Sequence, residues 1–437
     1  MRTRRRVALL VALAAFAAPG RARAHPFDVF GYGSRAAALG GAYTALADGY
    51  EASYYNPAGV VRSPGVRLGV GYAQSFSDLQ LNGEAIELRD SVYSGTSFGV
   101  SSTGRLYDHL LGLSLAFALP DRGSIRATTT GPLEPQFVLL SNRVQRAEIL
   151  LTSGLELGHG LAIGGGLAIG ASLGGTVDID ATLFPQGVDG NADISIKTRV
   201  FPIVGVSYDA WDTLRLGLTY RAQTSFSLAQ PALAVIALTP DSEISADLLL
   251  FVRQTYFFSP HQIQVGVAYD VAHALTLSFD VMWADWSALG DPGLDGTLEV
   301  GGELGGLLDV PPFRAPEDAG FHDTVVPRFG AEYRVPGTPL GLEALRIGYA
   351  FEPSPAPGAS GVRNLLDNDK HIASAGLGFV FRDPWGILLE DAHFDVHAQY
   401  FRFATREVAK SDPADPVGDL RFGGDRWVVG GMLTVQF

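Results

Sequence analysis

The sequence predicts an all-β fold: a transmembrane antiparallel β-barrel of about 14 strands with an N-terminal hatch, or plug, inside its lumen. Three observations predict it. Segments of strand length alternate bulky apolar residues with small or polar ones. The connections between these segments are alternately short and long. An export leader precedes a block too rich in Gly and Ala to build a core of its own.

The leader comes first. Arg2, Arg4, Arg5 and Arg6 form a basic start, Val7 to Ala18 an apolar run, and Ala22-Arg23-Ala24 a small-residue cleavage site. The apolar run is too short to cross a bilayer as a helix. Residues 1–24 are therefore expected to be a signal peptide. Their removal takes away six Arg and no acid, leaving 26 Lys+Arg against 46 Asp+Glu, a net charge of −20. That balance excludes nucleic acid as a partner of the body of the chain. With no Cys in 437 residues, thiol catalysis, thiolate metal sites and disulfides are excluded as well.

The plug is expected over 25–64. From Phe30 to Gly59 the chain reads FGYGSRAAALGGAYTALADGYEASYYNPAG. Little projects from such a backbone, so it can lie tightly against others. Asn56-Pro57-Ala58-Gly59 closes it with a turn signal.

The barrel is expected over 65–437. Val66, Leu68, Val70 and Tyr72 interleave with Arg67, Gly69, Gly71 and Ala73, and Leu111, Leu113, Leu115 and Phe117 with Gly112, Ser114, Ala116 and Ala118. Leu214, Leu216, Leu218 and Tyr220 interleave with Arg215, Gly217, Thr219 and Arg221, while Leu275, Leu277, Phe279, Val281 and Trp283 form a similar face. A soluble sandwich also turns its large residues to one side, so alternation alone leaves both classes open. Small and polar residues behind an aliphatic row suit a lumen behind a lipid-facing wall. Aromatic residues at strand ends suit interfacial girdles.

Fourteen segments are expected near 65–80, 92–103, 109–120, 144–158, 161–178, 193–209, 213–228, 260–270, 274–287, 323–335, 342–352, 371–382, 392–405 and 426–437. Connections such as Tyr208–Asp212 and Asp270–His273 are short, whereas 121–143, 229–259, 288–322, 353–370 and 406–425 are long. Segregated loop lengths are the mark of an outer-membrane barrel. Leu161–Thr176 is apolar but too Gly-rich for a spanning helix. Pro202 lacks an N–H and implies a bulge in the sixth strand. The final segment ends on the aromatic Phe437, resembling the signal read by the barrel assembly machinery.

The block GSRAAALGGAYTALADGYEASYYNPAG resembles the hatch of FadL-type outer-membrane transporters. Further blocks are similar in the same order: Leu214–Arg221, Asp285-Trp286-Ser287, Arg346–Pro355 and Leu366–His371. The resemblance implies outer-membrane transport of long-chain fatty acids or other hydrophobic compounds, in a Gram-negative bacterium. Ligand would pass from an outer groove to a pocket near the hatch and leave sideways at an inward kink in the third strand. Asn56, Pro57 and Ala58 match the family's Asn-Pro-Ala motif, which implies a gating role, with Gly31 and Gly33 giving the hatch freedom to move. The mature N-terminus, His25, Pro26 and Phe27, would reach into the pocket, Phe27 matching a family aromatic.

An acyl chain needs an apolar landing surface, because each buried CH₂ contributes about 0.8 kcal/mol. The outward loop Leu228–Ser259 offers one in Leu248, Leu249, Phe251, Phe257 and Phe258, or else folds back as the core of a lid. Arg253 among them could meet a carboxylate or simply snorkel. Catalysis finds no support. Gly95-Thr96-Ser97-Phe98-Gly99 and Gly170-Ala171-Ser172-Leu173-Gly174 match G-x-S-x-G but lie in strand segments, not at a strand-to-helix elbow. His261, His322 and His371 are scattered, and Asp367-Asn368-Asp369 reads as a solvated turn rather than a cation loop.

The expectation is a monomeric, multi-pass transport barrel in contact with outer-membrane lipid, needing no cofactor or metal. The alternatives are a porin-like pore for polar solutes and a surface adhesion or structural barrel.

Overall fold

The alternating segments pair into one closed wall in a computed structural model. It describes residues 31–86, 92–121, 135, 137–141, 148–182, 187–237, 245–290, 292, 295–301, 320–336, 341–359, 364–381, 391–410, 415 and 417–437. The leader and His25, Pro26 and Phe27 lie outside the described residues.

Among the described residues there are eighteen strands. In order they are β1 (Gly65–Leu81), β2 (Glu84–Ala85), β3 (Val92–Leu106), β4 (His109–Pro120), β5 (Glu148–Gly158) and β6 (Leu161–Thr182). Then come β7 (Gly187–Trp211), β8 (Leu214–Arg221), β9 (Thr224–Ala237), β10 (Ser245–Ser259), β11 (Gln262–Ala272) and β12 (Leu275–Ala284). The last are β13 (Asp295–Gly301), β14 (Thr324–Arg334), β15 (Leu342–Glu352), β16 (Lys370–Phe381), β17 (Ala392–Val408) and β18 (Leu420–Gln436).

Leaving out β2, β9, β10 and β13, the remaining fourteen are staves, each antiparallel to the next, with β8 paired to β11 and β12 to β14. The wall closes where β1 meets β18, from Arg67 opposite Gln436 to Leu81 opposite Phe422. Val66 and Phe437 exchange backbone hydrogen bonds of 3.0 and 2.8 Å, so the last residue completes the seam.

Side chains obey the two-residue period of the strand. Val70, Leu113, Val265 and Ile347 point outward, with Ile347 65% exposed, while Ser101, Ser114, Thr152 and Thr219 point inward and are buried. Apolar outside and polar inside is the reverse of a soluble sandwich, and it is what a bilayer requires. Two-residue turns join β3 to β4, β5 to β6, β7 to β8 and β11 to β12 at one end. Short turns mark the periplasmic end.

Three expectations are corrected. The loop Leu228–Ser259 is not a loop: β9 and β10 form a hairpin paired from Thr224–Ser259 to Ala237–Ser245, and β9 also runs parallel to the outer end of β6. The expected seventh strand accordingly divides at Ala222–Gln223 into β8 and β9. The run keeps pairing because its β-branched and aromatic residues suit a paired strand. Part of the expected loop 288–322 is β13, which extends that hairpin by pairing with β10.

Pro202 makes no bulge. It sits in register opposite Leu167, and its carbonyl accepts from the Ala222 N–H at 3.0 Å. Its missing donor therefore faces the side where β8 has already ended, and no ladder bond is lost.

Candidate functional site

The bore is filled by residues 31–63, and small residues explain how. Helix α1 (Ser34–Ala38), helix α2 (Ala52–Tyr55) and a 3₁₀ turn (Pro57–Arg62) are joined by tight bends. Ala36, Ala38, Leu39, Ala42, Ala52, Asn56 and Ala58 are all fully buried. The wall makes room with glycines facing inward at one level. Gly112, Gly154, Gly164 and Gly205 are cross-strand neighbours on four successive staves, and Gly330 pairs with Gly348 across the bore. A Cβ on Gly164 would come within 2.3 Å of the Ala58 nitrogen, and one on Gly348 within 2.2 Å of the Gly40 nitrogen. Plug backbone and wall backbone thus touch directly around the barrel.

Polar contacts fix the plug's orientation. Asn56 donates from Nδ2 to the carbonyls of Thr44 (3.1 Å) and Val206 (3.0 Å), while its Oδ1 accepts from the Ala58 N–H at 3.2 Å. One buried side chain joins a plug bend, the 3₁₀ turn that it caps, and stave β7. Pro57 follows at the first position of that turn, where no N–H is needed. The carboxylate of Asp280 accepts from the N–H groups of Tyr43 (3.0 Å) and Thr44 (2.9 Å).

The periplasmic face of the plug carries a charge network toward β14, β15 and β17. Arg35 meets Glu332 in a bidentate pair of 2.8 and 2.9 Å. Arg346 also donates to Glu332, at 2.6 Å, and to Asp395. Removing one member of such a buried pair costs about 3–5 kcal/mol, because the other charge stays buried. On the same side Tyr43 donates to Asp48 at 2.9 Å.

Gly31 and Gly33 stand in the left-handed region, with φ of 82° and 83°. A Cβ at Gly33 would overlap the Glu51 carboxyl, and one at Gly31 would press on the Tyr55 hydroxyl. Burial, then Asp48 and Asp395 nearby, raise the Glu51 carboxyl to about 8 against the opposing pull of Arg35. It is therefore uncharged at neutral pH.

Above the plug the described residues lining the bore form two apolar clusters. Phe258, Met282, Trp286, Leu289, Phe321, Val326 and Leu365 form one buried cluster, and Phe137, Leu366, Ile372, Phe401, Phe403 and Phe422 another. Two small spaces lie on the plug's upper surface. One of about 40 Å³ is lined by Tyr54, Tyr55, Val326, Arg328, Glu352 and Phe401, among others. The second, of about 30 Å³, includes Tyr54, Leu150, Phe201, Arg221 and Phe257.

Two guanidiniums converge there on one thioether. The Arg221 and Arg328 Nη2 atoms lie 4.0 and 3.7 Å from the Met282 sulfur. Arg221 stacks 4.3 Å over the Tyr54 ring and donates to the Tyr54 carbonyl at 2.8 Å and to Gln262. Neither arginine has a carboxylate within ion-pair distance among the described residues.

The expected site residues distribute unevenly. Gly31, Gly33, Asn56, Pro57 and Ala58 all lie in the plug, in contact with each other's neighbours and the wall. Phe257 lines the space beside Arg221, and Phe258 packs against Trp286 at 5.8 Å. Leu249 is 39% exposed on β10. Leu248, Phe251 and Arg253 belong to β10, whose backbone is paired, but their side chains lie outside the described residues.

Asp367 and Asn368 correct the solvated-turn expectation. Both are buried, Asp367 beside Lys370 at 3.1 Å, and Asn368 donating to the carbonyls of Ala404 and Phe422. The loop after β15 folds into the barrel mouth. At the third stave the ladder runs in register through Gly112, opposite Thr103 on one side and Gly154 on the other. Arg221 and Arg328 were missed as site residues. Arg221 closes the small-and-polar face of its strand, and a long cation on a face meant for a filled lumen was the available signal.

Comparison with known proteins agrees with this architecture. The sequence model of the family described as "Outer membrane protein transport protein (OMPP1/FadL/TodX)" matches residues 201–437. "Alkane uptake protein A" of Marinobacter nauticus is 26% identical over 263 residues, covering 56% of this chain and 52% of that protein. The chain thus spans about half the length of the curated relative it matches. Among solved structures, a Pseudomonas aeruginosa FadL homologue shares the fold at a TM-score of 0.57 and 15% identity, covering 93% of this chain and 98% of its own. The Pseudomonas putida toluene transporter TodX does so at 0.55 and 17% identity, covering 94% and 100%.

Proposed function

The chain belongs to the OMPP1/FadL/TodX family of outer-membrane transport proteins, and from that premise we propose that it carries long-chain fatty acids, or amphiphiles of similar shape, inward across the outer membrane. One observation carries the reading. Arg221 and Arg328 meet at the floor of an apolar bore, and among the described residues neither forms an ion pair, although Asp280 lies opposite Arg328 across the ladder and Glu352 and Glu148 line the adjoining spaces. A carboxylate headgroup supplies what they lack, and charge-assisted hydrogen bonds to guanidinium are the strong ones. Phe257, Val326, Met282 and Phe401 receive the hydrocarbon.

Transport then needs the plug to yield. Asn56, Pro57 and Ala58 are the gate, Gly31 and Gly33 its points of freedom, and His25, Pro26 and Phe27 its leading end. Binding and diffusion suffice, and the reading assigns no catalysis and no cofactor.

The name of the Marinobacter relative favours a second reading, uptake of alkanes without a headgroup. One experiment separates the two. Hydrogen bonds to a charged group contribute about 1.5–3 kcal/mol. Arg221→Gln with Arg328→Gln is therefore expected to lower fatty-acid uptake at least tenfold while hexadecane uptake stays near the wild-type rate. Equal rates for both ligands in the double variant would remove the headgroup role and leave the alkane reading.

A further inference from the structure

The two spaces on the plug's upper surface hold about 40 and 30 Å³, whereas sites for small molecules span roughly 300–1,000 Å³. A long acyl chain can therefore lie over Arg221 and Arg328 only after side chains leave the bore. Met282, Val326, Ile372 and Phe401 cannot go far, because β12, β14, β16 and β17 carry them in paired ladders.

Leu365 and Leu366 are held differently. They belong to the segment between β15 and β16, which is part of no strand. Both are buried. Leu365 joins the cluster of Met282, Val326 and Trp286, and Leu366 the cluster of Ile372, Phe401 and Phe422. Val326, Ile372 and Phe401 also line the larger of the two spaces. Two successive leucines thus reach from the mouth into both apolar clusters.

Polar contacts clamp this segment to the rim. Asn368, fully buried, donates from Nδ2 to the carbonyls of Ala404 (2.8 Å) and Phe422 (3.1 Å). Arg406 donates to the Asp367 carbonyl at 3.0 Å, and Lys370 to the Asp367 carboxylate at 3.2 Å. Next to the first residue of β16, the Asp369 carbonyl accepts from the Ala404 N–H at 2.9 Å. There the free segment ends and the ladder begins. Once lifted, the clamping groups meet water, so the exchange costs only the small net worth of each bond.

We propose that residues 364–368 are an outer gate, in which Leu365 and Leu366 stand in the place of the transported chain, and that the chain enters by displacing them about Asp369. The proposal rests on the fatty-acid reading above and adds how that site is kept closed when empty. Such a gate lowers apparent affinity by the fraction of molecules that are open. Loosening the clamp therefore tightens binding, the reverse of losing a wall contact.

The full-length protein in detergent micelles, with hexadecanoic acid as the probe, tests this. Amide hydrogen exchange at residues 364–369 of the wild type should rise at least fivefold with saturating acid, while β16 and β17 stay unchanged. Asn368→Ala should bind the acid at least threefold more tightly, since only the closed state loses two bonds. The chain has no Cys, so introduced thiols can lock the gate cleanly. Leu366→Cys with Phe422→Cys, bridged by a short bis-thiosulfonate, should bind at least tenfold more weakly and recover on reduction. Leu365→Cys with Phe321→Cys locks it from the other cluster if the first pair does not assemble. Equal binding by locked and reduced protein overturns the gate and leaves the transport reading intact. Unchanged or weaker binding by Asn368→Ala, or exchange that does not rise, does the same. Wild-type protein that fails to bind the acid overturns the fatty-acid reading and the gate together.

Discussion

The wall and the plug reach stability by opposite means. The wall is self-sufficient: its backbone groups pair stave to stave, the seam closes at Val66 and Phe437, and its large side chains face lipid. Among the described residues the plug has two short helices and one 3₁₀ turn, and most of its polar bonds outside them go to the wall. Asp280, Glu332, Val206 and Thr219 all hold it from staves far apart in sequence. Segments shorter than about 12 residues do not hold helix alone in water, so the plug has a shape only where the wall supplies one. A wall that folds by itself can release a plug that cannot, and this asymmetry suits a gate.

The most severe way to break the comparison is to remove the room that the wall provides. Gly164→Leu with Gly205→Leu places bulk where even a lone Cβ would stand 2.3 Å from the Ala58 nitrogen and 2.1 Å from the Asn56 Oδ1. Both positions are within continuous antiparallel ladders that accept larger residues. Overpacking costs about 1–3 kcal/mol per site, and it falls on plug docking rather than on the wall. Expected are normal heat-modifiable migration of the barrel, a rise in single-channel conductance, and protease cleavage within residues 31–63. A closed, protease-resistant plug in this variant would show that the glycine level has no part in seating it.

Asn56→Ala should act in the same direction with a smaller effect. It leaves the carbonyls of Thr44 and Val206 without their donor and the Ala58 N–H without its acceptor. Each buried polar group left unsatisfied costs about 1–3 kcal/mol. Fatty-acid uptake is expected to fall several-fold while circular dichroism of the barrel is unchanged. Wild-type uptake would withdraw Asn56 from the gate.

The same asymmetry decides what could be read from sequence. The staves were legible because a closed wall between lipid and a filled lumen forces alternation on every strand. Expected and observed bounds agree within a few residues at β1, β4 and β15. The β9–β10 hairpin was not legible as strand, since an apolar run outside the bilayer level has no second boundary to reveal its period. The plug's composition announced close packing, and Asn56-Pro57 announced a turn. Which wall residues would meet them was not legible, because Asn56 and Val206 are 150 positions apart. Arg221 and Arg328 come together on Met282 only through the order of the staves, from β8 to β11, β12 and β14. Asp367 and Asn368 read as solvated because polar loops usually are, yet here the loop returns into the mouth.

The smallest expected effect concerns protons. Glu51 sits in the plug against Gly33, with its carboxyl raised from 4.5 to about 8 by burial first and by Asp48 and Asp395 after it. In an undocked plug the same group would ionise near its ordinary value. Between pH 4.5 and 8 the docked state therefore holds a proton that the undocked state has lost. Docking is strongest below that window and weakens as pH rises through it. Glu51→Gln keeps the shape and the neutrality of the protonated acid and removes the titration. Hydrogen-exchange protection of residues 31–63, followed from pH 5 to 9 in the full-length protein, should decline with pH in the wild type and stay nearly flat in the variant, with the barrel strands unaffected in both. A parallel decline in both proteins would show that Glu51 is not the group whose proton governs docking.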